Sequence, residues 1–126
     1  MAAKSAYVEQ LQTSARLIAE QLGQQNWSIA FQSRSGRPSD AWLEPDIGAA
    51  IKTLIAEEHK EVVVAPIGFV SEHVEVLYDL DIEAKKIADG LGVHWVRASC
   101  PNDHPIFVRM MADVITAQVN AAEDRE

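Results

Sequence analysis

The chain holds a single cysteine, Cys100, among its 126 residues. A disulfide framework needs pairs of cysteines and a multi-cysteine zinc or iron–sulfur site needs several thiolates, so neither is contained in this chain; a reducing compartment is the simplest setting. No apolar run approaches the ~20 residues that a membrane-spanning helix requires. Met1 to Ser5 lack the basic and apolar regions of a secretory signal. The expectation is a cytoplasmic chain with no membrane insertion. Basic residues are few, 11 against 19 acids, giving a formal charge of −8. Such a surface repels phosphate backbones and argues against nucleic acid as a partner, whereas a cationic or metal-bearing ligand suits it. Six glycines and five prolines are too few for collagenous or disordered sequence. Internal repeats, low-complexity stretches and linkers are absent as well, so residues 1–126 read as a single domain with one core.

What is present alternates. Helix formers run from Ala6 to Leu22, with Leu11, Leu17, Ile18 and Leu22 near helical spacing and Gly23 as a stop. Ser28 to Ser33 carries β-prone Ile29 and Phe31 and leads into a breaker-rich loop from Arg34 to Pro45. Asp46 is placed to cap a helix whose Ile47, Ile51, Leu54 and Ile55 share one face. Glu61 to Ile67 is nearly unbroken in β-branched residues, the pattern of a parallel strand buried on both faces, with Pro66 closing it. Ser71 is placed to cap a long helix to about Gly90; Gly92 to Arg97 forms a third strand candidate, and Pro105 opens a last helix with Phe107, Val108, Met110, Val114 and Ile115 as its stripe. The order α-β-α-β-α-β-α predicts a parallel sheet with helices on both faces and ligands at the carboxyl ends of the strands.

The helix after Ser71 is the most informative segment. At 100° per residue, Glu75, Asp79 and Glu83 advance by about 40° each and form one acidic line, with Leu77, Leu80, Ala84 and Ile87 roughly opposite. Carboxylates one turn apart repel by a few tenths of a kcal/mol per pair, a cost that a bound dication or shared protons relieve. Oxygen and imidazole donors together suit Fe(II), Mn(II), Zn(II) or Mg(II). An acidic stripe is equally the ordinary solvated face of an amphipathic helix, and spacing alone leaves both readings open.

A longer pattern resolves the choice. Pro66-Ile67-Gly68-Phe69-Val70-Ser71-Glu72-His73-Val74-Glu75-Val76-Leu77-Tyr78-Asp79-Leu80-Asp81 resembles the ferrochelatase signature P-(I/V)-x-F-x-(S/A)-(D/E)-H-x-E-x-L-Y-(D/E)-x-D. Phe31-Gln32-Ser33-Arg34, followed by Trp42-Leu43-Glu44-Pro45, is similar to that family's F-Q-S-(R/K) and W-L-x-P segment, and Asn102-Asp103-His104-Pro105 resembles its closing turn. From Tyr7 to about Val119 the chain looks like the C-terminal half of a ferrochelatase. The resemblance implies a Rossmann-like, chelatase-type, three-layer αβα fold with a short parallel sheet of three to four strands. It also implies insertion of Fe(II), as substrate, into a porphyrin during heme biosynthesis, a lyase reaction with no organic cofactor.

In that family a histidine and a glutamate on opposite sides of the macrocycle handle metal and protons, and the glutamate of H-x-E falls on Glu75. By the same comparison His73 is a second catalytic candidate that orients or protonates near the site, Asp79 and Glu83 continue Glu75 as a metal-conducting line able to hold a second divalent cation, and Trp42 lines the porphyrin cleft. Arg34 is placed to meet propionates. A local π-type widening of this helix is a family feature, consistent with Ile82, which straight α-geometry sets beside the acidic stripe. The family's S-A-H-S-L-P segment with its catalytic histidine has no counterpart here, nor has the N-terminal half of the cleft. The missing strand would lie between Ser28–Ser33 and Val62–Pro66, leaving unpaired backbone groups at the centre of a sheet. Partners implied are thus a porphyrin and either the missing half or a second copy. The alternatives are a non-catalytic metal- or porphyrin-binding module and a half-size homodimeric chelatase. The G-F-V-S-E-H-V-E wording leans toward coproporphyrin III over protoporphyrin IX.

Overall fold

A computed structural model describes residues 6–32 and 37–124. Helix α1, Tyr7–Leu22, stops where the sequence places the stop: Gly23 adopts φ 65°, and its N–H donates to the carbonyls of Ala19 and Glu20. That left-handed conformation is one glycine takes without steric cost. Helix α2, Ile47–Ala56, begins on the side chain of Asp46, which accepts a 2.9 Å hydrogen bond from the Ala49 N–H. Strand β1, Glu61–Val64, pairs in parallel with β2, His94–Arg97, in the register Glu61 to His94 through Val64 to Arg97. Between them runs α3, which is continuous through Val74–Val76, Leu77–Ala84 and Lys85–Gly90 and π-helical in its middle portion. Helix α4, Pro105–Glu123, closes the described chain, with Pro105 in its first turn and His104 as its cap.

The core lies where α2 and α3 cover one face of the two strands. Ile51, Val76, Leu80, Ala84, Ala88, Val93 and Cys100 are buried there, with Val62, Val64 and Trp95 supplying the inward side chains of the sheet. The fold is therefore mixed α/β with a parallel pair of strands, as the alternation predicts.

Four expectations are corrected. The segment 28–32 forms no strand: its one ladder contact among the described residues is an isolated bridge in which the Phe31 N–H donates to the Pro45 carbonyl and the Ile47 N–H to the Phe31 carbonyl. It is tied to the α2 cap rather than to β1, so the described sheet has two strands instead of three or four. Nor is β1 buried on both faces. Its alternate residues point outward, and Val63 is 72% exposed because no described helix covers that face. Helix α3 starts at Val74 with His73 as its cap, not at Ser71, because Glu72 is held in non-helical bonds of its own. Lastly, the apolar stripe of α4 stays uncovered among the described residues, with Ile106 75% exposed and no residue of that helix buried.

Candidate functional site

The chain leaving β1 turns through residues 65–73 and enters α3 at its acidic line. Gly68 lies close under the Tyr7 hydroxyl, which a Cβ there would meet at 3.4 Å, so the start of α1 sits against this turn. Phe69 and His73 pack edge to face with ring centroids 4.3 Å apart. That packing fixes the imidazole, whose Nδ1 accepts a 3.2 Å bond from the Glu75 N–H. Nδ1 is thereby committed as an acceptor, and a neutral ring carries its proton on Nε2. His73 and Glu75 are thus brought together at one helix start, the histidine side chain bonded to the glutamate's backbone.

The helix beyond is under-wound. Residues buried against the sheet are Val76, Leu80, Ala84 and Ala88, a recurrence of four. In α-geometry each step of four overshoots a full turn by about 40°, and such a stripe would curl away from the sheet. The π-type turns take more residues each and keep it facing inward; the Lys85 N–H donates five residues back, to the Leu80 carbonyl, and also to that of Ile82. The same winding draws Ile82 off the line of Glu75, Asp79 and Glu83. Leu77, expected in the core, is 42% exposed, and Val76 takes its place. Each acid of the line directly precedes a buried residue, Val76, Leu80 or Ala84, so the carboxylates run along one flank of the buried stripe. Among the described residues, no three His, Cys, Asp or Glu side chains gather closely enough to hold a metal ion. The acids form a file, not a cage.

On the other flank stands Asp81, and its partner is a residue that sequence reasoning missed. Arg97, the last residue of β2, donates from Nε and Nη2 to the two oxygens of Asp81 at 2.5 and 3.0 Å and from Nη1 to Glu72 Oε1 at 3.0 Å. These bonds raise the guanidinium's pKa further, Asp81 contributing most and Glu72 next, so its charge is permanent. Asn102 completes the arrangement by accepting from the Glu72 N–H at 2.9 Å and donating to the Cys100 carbonyl at 3.1 Å. The strand-end position of Arg97 and the N-D-H-P turn were the available signals. Cys100 is buried, and desolvation, with the nearby Glu72 charge second, raises its thiol above the ordinary value.

The remaining candidates lie apart from this turn in sequence. Trp42 is exposed in the loop before Asp46. A cleft of about 510 Å³ opens between α1 and the Phe31 bridge, walled by Val8, Gln12, Arg16, Trp27, Ile29 and Phe31 among others, and Trp42 does not line it. Arg34 lies outside the described residues. Among those described, no helix is long and apolar enough to cross a membrane.

Fold and site together define a mixed α/β segment in which a His-x-Glu turn at the carboxyl end of a parallel strand feeds an under-wound acidic helix. The family model described as Ferrochelatase matches residues 1–119. The chain belongs to the ferrochelatase family. It is 40% identical over 126 residues to a ferrochelatase of Rhodopirellula baltica, covering 99% of this chain and 36% of that protein. A coproporphyrin III ferrochelatase of Mycobacterium leprae is 43% identical over 109 residues, 86% of this chain and 32% of the relative. Coproporphyrin III ferrochelatase 2 of Bacillus cereus is 38% identical over 127 residues, covering all of this chain and 40% of the relative. The chain thus spans about a third of the length of the curated relatives it matches.

Proposed function

We propose that this chain is the metal-handling part of a ferrochelatase that inserts Fe(II) into a porphyrin for heme synthesis, with coproporphyrin III as the favoured substrate. The observation that carries the reading is the file of Glu75, Asp79 and Glu83 along one flank of an under-wound helix that starts beside His73. Metal insertion exchanges two pyrrole N–H protons for one dication, so the site needs carboxylates that pass a hydrated cation inward and take protons outward. Glu83 and Asp79 would carry iron along the helix; Glu75, at its start, would deliver iron and accept a proton. His73, whose Nδ1 accepts from the Glu75 N–H, would offer Nε2 to the same exchange. Names of the relatives from Mycobacterium leprae and Bacillus cereus support coproporphyrin III.

Other elements of the reading follow from the length of the relatives. The exposed outer face of β1 and the bare stripe of α4 are surfaces that a three-layer, Rossmann-like arrangement covers, and a further part of the enzyme or a second copy would supply that cover along with the rest of the porphyrin cleft. Trp42 would line the cleft, and Arg34 would meet a propionate. Asp79 and Glu83, completed by water, form the kind of donor set that holds Mg²⁺ through one or two carboxylates, so a second divalent cation is proposed there. A cytoplasmic location accords with the reduced Cys100.

The test is anaerobic iron insertion by a chimera in which this chain replaces the aligned segment of the Mycobacterium leprae relative, with coproporphyrin III and protoporphyrin IX in parallel. Turnover, faster with coproporphyrin III, is expected. A folded chimera that binds porphyrin without metallating it would establish the non-catalytic module instead.

A further inference from the structure

We propose that Arg97 is a positioning residue whose forked guanidinium, gripping Asp81 and Glu72 at once, holds α3 in its under-wound register and keeps Glu75, Asp79 and Glu83 in file. The functional consequence rests on the reading of those carboxylates as iron-handling, whereas the structural claim does not.

Glu72 precedes the helix and Asp81 lies within its π-type portion, yet one side chain holds both. Arg97 is well placed for this, being fixed in the parallel register at the end of β2 and only 12% exposed in its side chain. Nη1 also donates to the Ala98 carbonyl at 3.2 Å, so the fork is spent on four acceptor atoms from three residues and has little freedom to swing. Glu72 is held in turn by Asn102 and by a 3.4 Å bond from the Cys100 N–H. Start and middle of α3 are therefore pinned to one point on the sheet. Turns of the π type take more residues than α-turns and advance less along the axis, so this fixed span favours them. Asp81 and the acidic file lie on opposite flanks of the buried stripe, so fixing the rotation of one fixes the other. Released from Arg97, the segment can recover ordinary bonds four residues back, and Asp79 and Glu83 then rotate away from the direction of Glu75.

The register can be read by NMR couplings transmitted through hydrogen bonds, on the isotope-labelled chain without iron or porphyrin. Wild type is expected to show a coupling between the Lys85 nitrogen and the Leu80 carbonyl carbon, the bond made five residues back. In Arg97→Ala that coupling should be lost and replaced by one to Asp81, while α1 keeps its own. Arg97→Lys should behave like Arg97→Ala, because one ammonium cannot match both oxygens of Asp81 together with Glu72. Arg16→Ala, which removes an exposed ion pair to Glu20 on α1, should leave the Lys85–Leu80 coupling intact. If Arg97→Ala does not fold, Asp81→Asn, which keeps shape and removes the charge, should show the same change of register. A folded Arg97→Ala or Asp81→Asn that retains the Lys85–Leu80 coupling overturns the proposal, as does full restoration by lysine. Since no metal is present, these outcomes stand apart from success or failure of iron insertion.

Discussion

Replacing Val76 by alanine removes two methyl groups from a side chain that is 0% exposed and lies between α3 and the two strands. At about 0.8 kcal/mol per buried carbon, with a cavity term because the neighbours collapse incompletely, the loss comes to about 2–2.5 kcal/mol. Leu77→Ala deletes three carbons, but this side chain is 42% exposed, and with nearly half its surface already in water and no closed cavity left behind the cost is about 1 kcal/mol. The smaller deletion should thus be the costlier one. Ordinary α-winding gives the reverse order, since it puts Leu77 on the core face with Leu80 and Ala84. The comparison therefore tests the under-wound register through energetics alone. Urea unfolding followed by circular dichroism reports both variants, with the midpoint shifting at unchanged slope. Leu77→Ala costing as much as Val76→Ala would refute the reasoning.

Asp46→Ala should cost about 1 kcal/mol in the same assay, by removing the oxygen that accepts from the Ala49 N–H, and Asp46→Ser should recover most of it. Cys100 is buried as the neutral thiol, with its pKa raised above the ordinary 9.0. A raised folded value means that its contribution to stability is complete below about pH 9 and declines as pH rises through the folded value; Cys100→Ala should flatten the alkaline loss of unfolding free energy. The same burial should make alkylation of Cys100 slow until urea opens the core, and fast labelling of the native chain would contradict its placement. Gly23→Ala should cost about 1 kcal/mol by forcing a Cβ into φ 65°, with nothing nearby for the added methyl to pack on.

Local chemistry made much of the fold legible. Gly23, Asp46 and Pro105 punctuate helices through backbone geometry that neighbouring residues alone dictate, and all three act as the sequence predicts. The strands at Glu61–Val64 and His94–Arg97 were visible in their β-branched and aromatic content. A helical period of 3.6 set Leu80, Ala84 and Ile87 correctly toward the core but misplaced Leu77 and overlooked Val76; the sign of under-winding was the recurrence of Val76, Leu80, Ala84 and Ala88 at an interval of four. The fork of Arg97 was not legible, because residues 72, 81 and 97 meet only once β2 is in register with β1. Nor could periodicity reveal that the stripe of α4 and the outer face of β1 would stay bare, since an amphipathic pattern states that a face seeks cover and is silent on what covers it. At the site, the spacing of Glu75, Asp79 and Glu83 was readable, while the cap linking His73 to Glu75 depends on where the helix begins, which residue spacing does not state.

The central claim is that Glu75 handles iron and protons at the head of the acidic file. Glu75→Ala in the Mycobacterium leprae chimera, assayed anaerobically with Fe(II) and coproporphyrin III beside a fluorescence titration of porphyrin binding, puts it to the sharpest trial. Loss of the carboxylate should lower metal insertion by at least about 100-fold, the scale of a lost general acid–base group, while porphyrin affinity stays within about twofold. Insertion at the parent rate by the folded variant would contradict the assignment.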